Sequence, residues 1–172
     1  MKDILDSIIE ELEELDTFEE VLDMAISLEE KGRSFYLDKL AEIKSPTVQD
    51  IFTYLAREEK KHSQYLRDFK EKYSKDSISH DLSSFNPGAA TTPDFREMLQ
   101  EEFSERWSDE EGVLLSALRF EKKTEMLYTE LARRATDKKK KHFFEKLANY
   151  EKEHYELIDG FLEFSTQFRM ET

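Results

Sequence analysis

The chain has 172 residues, enough for one compact domain with its own core, and only 4 glycines and 3 prolines to interrupt long elements. Charged residues make up 38% of it and the formal net charge is -14, which argues against nucleic acid and anionic membranes as partners. There is no cysteine, so disulfides, iron–sulfur clusters and thiolate-held iron are excluded. No apolar run approaches the ~18 residues of a membrane span, and the N-terminal residues carry no signal-peptide pattern. The expectation is a soluble, cytoplasmic protein.

Residues 1–15 read as a short acidic amphipathic helix, with Ile4, Leu5, Ile8, Ile9, Leu12 and Leu15 along one side. Such a helix packs on the body of the chain or on a second copy, and a homodimer is the expected assembly. Thr17 and Glu20 have the spacing of a capping box and open the first long helix. Its seam is Leu22, Ala25, Glu29, Gly32 and Tyr36, so Glu29 occupies a core position. Glu30, about 100° round the helix, is the solvated neighbour.

Ser45 is suited to N-cap and Pro46 to the first turn of the second helix, which runs to about Tyr73. Its seam is Val48, Phe52, Leu55, Glu59, His62, Leu66 and Phe69, with Glu58 off it. Residues 74–92 are rich in Ser, Thr, Pro and Gly and read as a linker. Thr92 and Pro93 then start a short helix to about Trp107. Ser108 with Glu111 repeats the capping-box spacing and opens the third long helix, with seam Leu114, Ala117, Glu121, Thr124, Tyr128 and Leu131. The fourth starts near Asp137 and carries Phe144, Leu147, Glu151, His154, Ile158 and Phe161 on one face. His80, His142 and the run Lys138 to Lys141 fall outside these seams and are expected to be solvated.

A shift of 92 residues superimposes the two halves. Leu22 meets Leu114, Ala25 meets Ala117, Glu29 meets Glu121 and Tyr36 meets Tyr128. Leu55 meets Leu147, Glu59 meets Glu151 and His62 meets His154. The expectation is a single domain over residues 1–172 built by internal duplication, about 17–73 and 108–168, joined by a linker at 74–107. Counted from Ser45, Glu29 lies 16 residues before the turn, and Glu59 and His62 lie 14 and 17 after it. At about 1.5 Å per residue these side chains reach one height of an antiparallel hairpin, to within roughly 3 Å. The same counts hold about Asp137 for Glu121, Glu151 and His154.

Two such hairpins, packed face to face, make an all-α four-helix bundle with Glu29, Glu59, His62, Glu121, Glu151 and His154 at one level of its core. Tight turns occur only near residues 45 and 137, so the second and third helices need a long crossover. Buried carboxylates and imidazoles cost several kcal/mol each, roughly, unless paired. Four carboxylates balance two divalent cations, and this is the ligand pattern general to di-iron and di-manganese carboxylate bundles. Hard oxygen and borderline nitrogen donors suit two iron ions, with manganese or zinc as alternatives.

The chain resembles the rubrerythrin-like branch of the ferritin-like di-iron proteins. The resemblance is carried by Glu29-Glu-Lys-Gly-Arg-Ser-Phe-Tyr36, Leu55-Ala-Arg-Glu-Glu59-Lys-Lys-His62, Glu121-Lys-Lys-Thr-Glu-Met-Leu-Tyr128 and Leu147-Ala-Asn-Tyr-Glu151-Lys-Glu-His154, and covers about residues 17–168. It implies that Glu59 and Glu151 bridge the metals, that Glu29 and Glu121 are terminal ligands, and that Tyr36 and Tyr128 hydrogen-bond carboxylates across the core. It also implies an oxidoreductase that reacts with hydrogen peroxide or O₂. Two departures stand out. Rubrerythrins carry a further carboxylate where this chain has Thr124, with Glu125 beside it, and they append a cysteine-rich rubredoxin domain that a cysteine-free chain lacks. Electrons would have to come from a separate donor, rubredoxin-type for example. Two other readings stay open on the residues: an iron-binding or storage protein of ferroxidase type, and a structural zinc or manganese pair without turnover.

Overall fold

Four helices make up almost all of the structure, a computed structural model that describes residues 17–74 and 110–171 together with Glu10, Leu12 and Leu15. They are α1 (Phe18–Lys39), α2 (Pro46–Ser74), α3 (Glu111–Arg134) and α4 (Lys138–Glu171). No strand occurs among the described residues. Three of the four helix starts follow the sequence reading. Thr17 and Glu20 form both bonds of the capping box at α1. Ser45 Oγ accepts from the Val48 amide at 3.3 Å at the start of α2, and Asp137 Oδ1 accepts from the Lys139 and Lys140 amides at 2.8 and 3.0 Å at the start of α4.

The third start differs. α3 begins at Glu111, not at Ser108, which lies outside the described residues. Its N-cap residue, Glu110, makes no side-chain cap. The Glu110 carboxylate turns instead to the opposite hairpin, where Oε1 accepts from the backbone amides of Lys44 and Ser45, the latter at 3.0 Å. The turn between α1 and α2 offers N–H groups at the start of a helix, where an anion is favoured. Glu110 therefore ties the beginning of α3 to the α1–α2 turn.

Two apolar clusters fix the helix directions. One joins Leu22, Ala25 and Ile26 of α1, Leu66 and Phe69 of α2, Tyr128 and Leu131 of α3, and Phe143, Phe144 and Leu147 of α4. The other joins Tyr36 of α1, Phe52 and Leu55 of α2, Leu114 and Ala117 of α3, and Ile158 and Phe161 of α4. So α1 is antiparallel to α2, and α3 to α4. The end of α2 and the start of α3 lie at opposite ends of the bundle, the helix arrangement of ferritin-like folds. Each fully buried Leu or Phe in these clusters contributes about 1.5–3 kcal/mol.

Leu12 is buried in the first cluster and Leu15 packs against it, so for these two residues the chain's own bundle is the apolar partner. The rest of the expected N-terminal helix, the linker with His80, and the short helix with Trp107 lie outside the described residues. His142 is exposed as expected. The lysine run is not uniformly solvated: Lys140 Nζ sits 4.2 Å from the centroid of the Phe18 ring and 4.4 Å from that of Tyr73. At those distances the ammonium gains from the ring quadrupoles, and this offsets its poor position at a helix N-terminus.

The Glu110 contact generates a stability prediction. Glu110→Ala leaves two turn amides without their shared acceptor and is expected to cost about 1–3 kcal/mol, seen as a lowered Tm of the metal-free protein. An unchanged Tm would mean the contact contributes nothing.

Candidate metal centre

Between the two apolar clusters the core becomes polar. Glu29, Glu59, Glu121 and Glu151 are each 0% exposed, and His62 and His154 are 1% and 2% exposed. The six come from all four helices, at the seam positions read from the sequence. One donor atom from each of Glu59, His62, Glu151 and His154 lies within 4.8 Å of the others. The remaining two carboxylates flank this group. His62 Nδ1 is 3.4 Å from Glu29 Oε2 and 2.7 Å from Glu151 Oε1. His154 Nδ1 is 3.3 Å from Glu121 Oε2 and 3.5 Å from Glu59 Oε1. Each imidazole thus faces one carboxylate of its own hairpin and one of the other. The two rings stack with centroids 5.2 Å apart and planes 12° from parallel.

The tyrosines complete the reciprocity. Tyr36 Oη–H donates to Glu121 Oε1 and Tyr128 Oη–H donates to Glu29 Oε1, so each half anchors the outer carboxylate of the other. Burial raises both phenols well above their usual value, and the carboxylates they face push in the same direction. They stay protonated and keep donating. Thr124 Oγ1 lies 2.9 Å from Glu151 Oε2.

Several polar atoms in this layer have no hydrogen-bond partner: Glu29 Oε2, both carboxylate oxygens of Glu59, His62 Nδ1 and Glu151 Oε1. The 2.7 Å approach of His62 to Glu151 is close but lacks hydrogen-bond alignment. An orphaned buried acceptor costs about 1–3 kcal/mol, more when charged. Five such atoms in one layer are a donor set that lacks its acceptors of choice, namely cations. Four carboxylates and two neutral imidazoles carry a charge that two divalent ions cancel, so the residues fit a di-metal site.

Without ions the layer holds protons. Burial, with the neighbouring Glu151 carboxylate, drives Glu59 well above the usual range. Burial and the Glu29 charge lift Glu151 to about 8 against the opposing pull of His62. Burial disfavours charged His62 and His154, but the carboxylates of Glu151 and Glu121 outweigh it and raise both imidazoles. Burial also acts upward on Glu29, and there the His62, Glu59 and Tyr128 contacts prevail and lower it.

The off-seam acids divide. Glu30 is exposed and paired with Arg67. Glu125 is held by Lys122 at 2.8 Å and is not part of the cluster. Glu58 is only 8% exposed, although it sits off the seam, and pairs with Lys61 at 2.6 Å. Seam reasoning missed the aromatic cover of the site: Tyr150 stacks on His62 at 5.5 Å and Tyr54 stands edge-on to His154 at 6.2 Å. Tyr150 directly precedes Glu151 in the chain, but no periodicity marks it as a ring-stacking partner.

A four-helix bundle with a buried layer of carboxylates and imidazoles defines the ferritin-like class of carboxylate bundles. Within that class the chain belongs to the rubrerythrin family, whose sequence model matches residues 20–162. Neither a curated protein nor a solved structure matches it.

The protonation pattern sets the pH dependence of the metal-free protein. Glu59, Glu151, His62 and His154 all have raised values, so the folded form binds more protons than the unfolded chain. Their contribution is complete below the unfolded values and is lost as pH rises through the folded ones, about 8 for Glu151. Thermal melts of metal-free protein should show Tm falling from pH 5 to pH 9, and two equivalents of Zn²⁺ should reverse the fall. A flat or rising Tm without metal contradicts this charge assignment.

Proposed function

We propose that the chain binds two divalent metal ions through Glu29, Glu59, His62, Glu121, Glu151 and His154. In this reading they are iron in preference to manganese or zinc, and they serve to reduce hydrogen peroxide or O₂ with electrons from a separate donor. The observation that carries the reading is the set of orphaned carboxylate and imidazole atoms inside a core in which no Lys or Arg is buried among the described residues. Membership of the rubrerythrin family supports it.

Glu59 of α2 and Glu151 of α4 lie among both imidazoles, the position from which one carboxylate can hold two ions. Glu29 and Glu121 each face the imidazole of their own hairpin, and each would hold one ion. Six side chains would leave coordination positions open on two ions, which a reacting oxidant requires and a closed structural site does not offer. When bound, a ferrous pair supplies two electrons, the number that converts hydrogen peroxide and two protons to two waters. Tyr36 and Tyr128 hold the outer carboxylates in place and remain protonated while they do so. Tyr54 and Tyr150 cover the imidazoles and limit water at the ligands. The chain has no cysteine to return electrons internally, so a rubredoxin-type or comparable donor is part of the proposal.

The test is anaerobic loading with two equivalents of Fe²⁺, then mixing with peroxide or O₂ under stopped-flow absorbance. One rapid oxidation is expected, and steady peroxide consumption only when an external donor is added. Glu59→Ala and Glu151→Ala should each reduce metal content from two ions toward none, because each removes a carboxylate shared by both. A ferrous protein inert to both oxidants would leave a structural metal pair as the reading. Full metal content in either variant would remove the bridging role.

A further inference from the structure

The two halves of the site are not equivalent. The shift that pairs every ligand with its twin pairs Thr124 with Gly32 and Phe120 with Leu28. On α3, Thr124 Oγ1 lies 2.9 Å from Glu151 Oε2. On α1, the corresponding position has no side chain, and Glu59 has no donor on either oxygen. The space there is committed: a Cβ at Gly32 would stand 2.4 Å from Phe120 Cε1 and 3.3 Å from Glu59 Oε2. Phe120 thus occupies the volume that a threonine would need on that side.

Three of the five unpartnered atoms of this layer lie beside His62. Glu29 Oε2, His62 Nδ1 and Glu151 Oε1 surround the His62 position without hydrogen bonds. At the His154 position Glu59 Oε1 is likewise unpartnered, 3.5 Å from Nδ1, but His154 Nδ1 also lies 3.3 Å from Glu121 Oε2, and Glu151 Oε2 accepts from Thr124. The Thr124 hydroxyl also lies 3.0 Å from the Glu121 carbonyl. The Phe120 carbonyl is 3.3 Å away, so of the three acceptors within reach of its one proton Glu151 Oε2 is the nearest. Bound to that hydroxyl, Glu151 presents Oε1 toward His62, 2.7 Å from Nδ1, and keeps Oε2 3.9 Å from His154 Nδ1.

We propose that Thr124 is a positioning residue that orients Glu151 toward His62 and makes the two ion positions unequal, the position beside His62 filling first. Oriented in this way, Glu151 would offer an ion beside His62 the oxygen that no hydroxyl holds, whereas an ion beside His154 would have to share the oxygen that Thr124 holds. The inference rests on the di-metal reading above. It also gives the departure from the family pattern a consequence: where rubrerythrins are expected to carry a further carboxylate, this chain carries a hydroxyl that donates to a ligand and adds no ligand of its own.

The test uses Zn²⁺ as probe and the imidazole nitrogen resonances of ¹⁵N-histidine-labelled protein, which has only 4 histidines. Below one equivalent, the His62 signal should move to its bound position ahead of His154, with a preference of about tenfold, the worth of one charge-assisted hydrogen bond. Thr124→Val keeps the shape and removes the hydroxyl. It should bind two ions still, with the preference reduced to about threefold or less, and Thr124→Ser should restore it. Equal filling in the native protein, filling of His154 first, or an unchanged preference in Thr124→Val would overturn the proposal while leaving two bound ions. Imidazole signals that never move in excess Zn²⁺ would overturn the di-metal reading with it.

Discussion

Four carboxylates and two imidazoles, none more than 2% exposed, sit at the level of the bundle where apolar packing would otherwise be continuous. Desolvating an ionised group in such a place costs several kcal/mol, roughly, even after relaxation. The layer cannot be held by packing alone, and protons are its only neutraliser when cations are absent. The rest of the structure answers this constraint. The apolar clusters above and below clamp the four helices at a fixed separation. Tyrosine hydroxyls take the outer oxygens of Glu29 and Glu121, and rings shield the histidines.

The arrangement is reciprocal between hairpins, which makes the polar layer a fastening as well as a site. α1 and α2 form one antiparallel pair, α3 and α4 the other. Yet Tyr36 of the first pair reaches Glu121 of the second, and Tyr128 of the second reaches Glu29 of the first. Glu110 adds a third tie at one end of the bundle, from the start of α3 to the turn between α1 and α2. Ions bound in the middle would join all four helices at once, so loading and rigidity of the bundle are thermodynamically linked.

The ligand candidates were legible in the sequence because a helical seam is strict: a Glu or His at a three–four spacing among Leu, Ala and Phe has to point inward. All six that were read this way are buried together, and the counts about Ser45 and Asp137 placed them at one height. Tyr36 and Tyr128 were legible as inward-facing, and their carboxylate partners came from the family resemblance. What remained illegible depends on the relative placement of helices distant in sequence. Glu58 is buried although it is off the seam, Phe143 stacks on Phe69 with centroids 4.1 Å apart beside the expected Phe144, and Lys140 lies over two aromatic rings. The start of α3 moved for the same reason, since the Glu110 carboxylate serves amides of another hairpin. Thr124 was visible as a missing carboxylate, but its hydrogen bond to Glu151 becomes apparent only when α3 and α4 are side by side.

The central claim is that this layer is balanced by two cations shared among six side chains. Anomalous diffraction from crystals of iron-loaded protein, recorded at the iron edge, tests it most directly. The account predicts two peaks inside the bundle, each about 2.0–2.2 Å from a histidine nitrogen and from carboxylate oxygens. One should lie beside His62 and Glu29, the other beside His154 and Glu121, with Glu59 and Glu151 between them. A single peak, or peaks only at surface acids with the core layer empty, would contradict it.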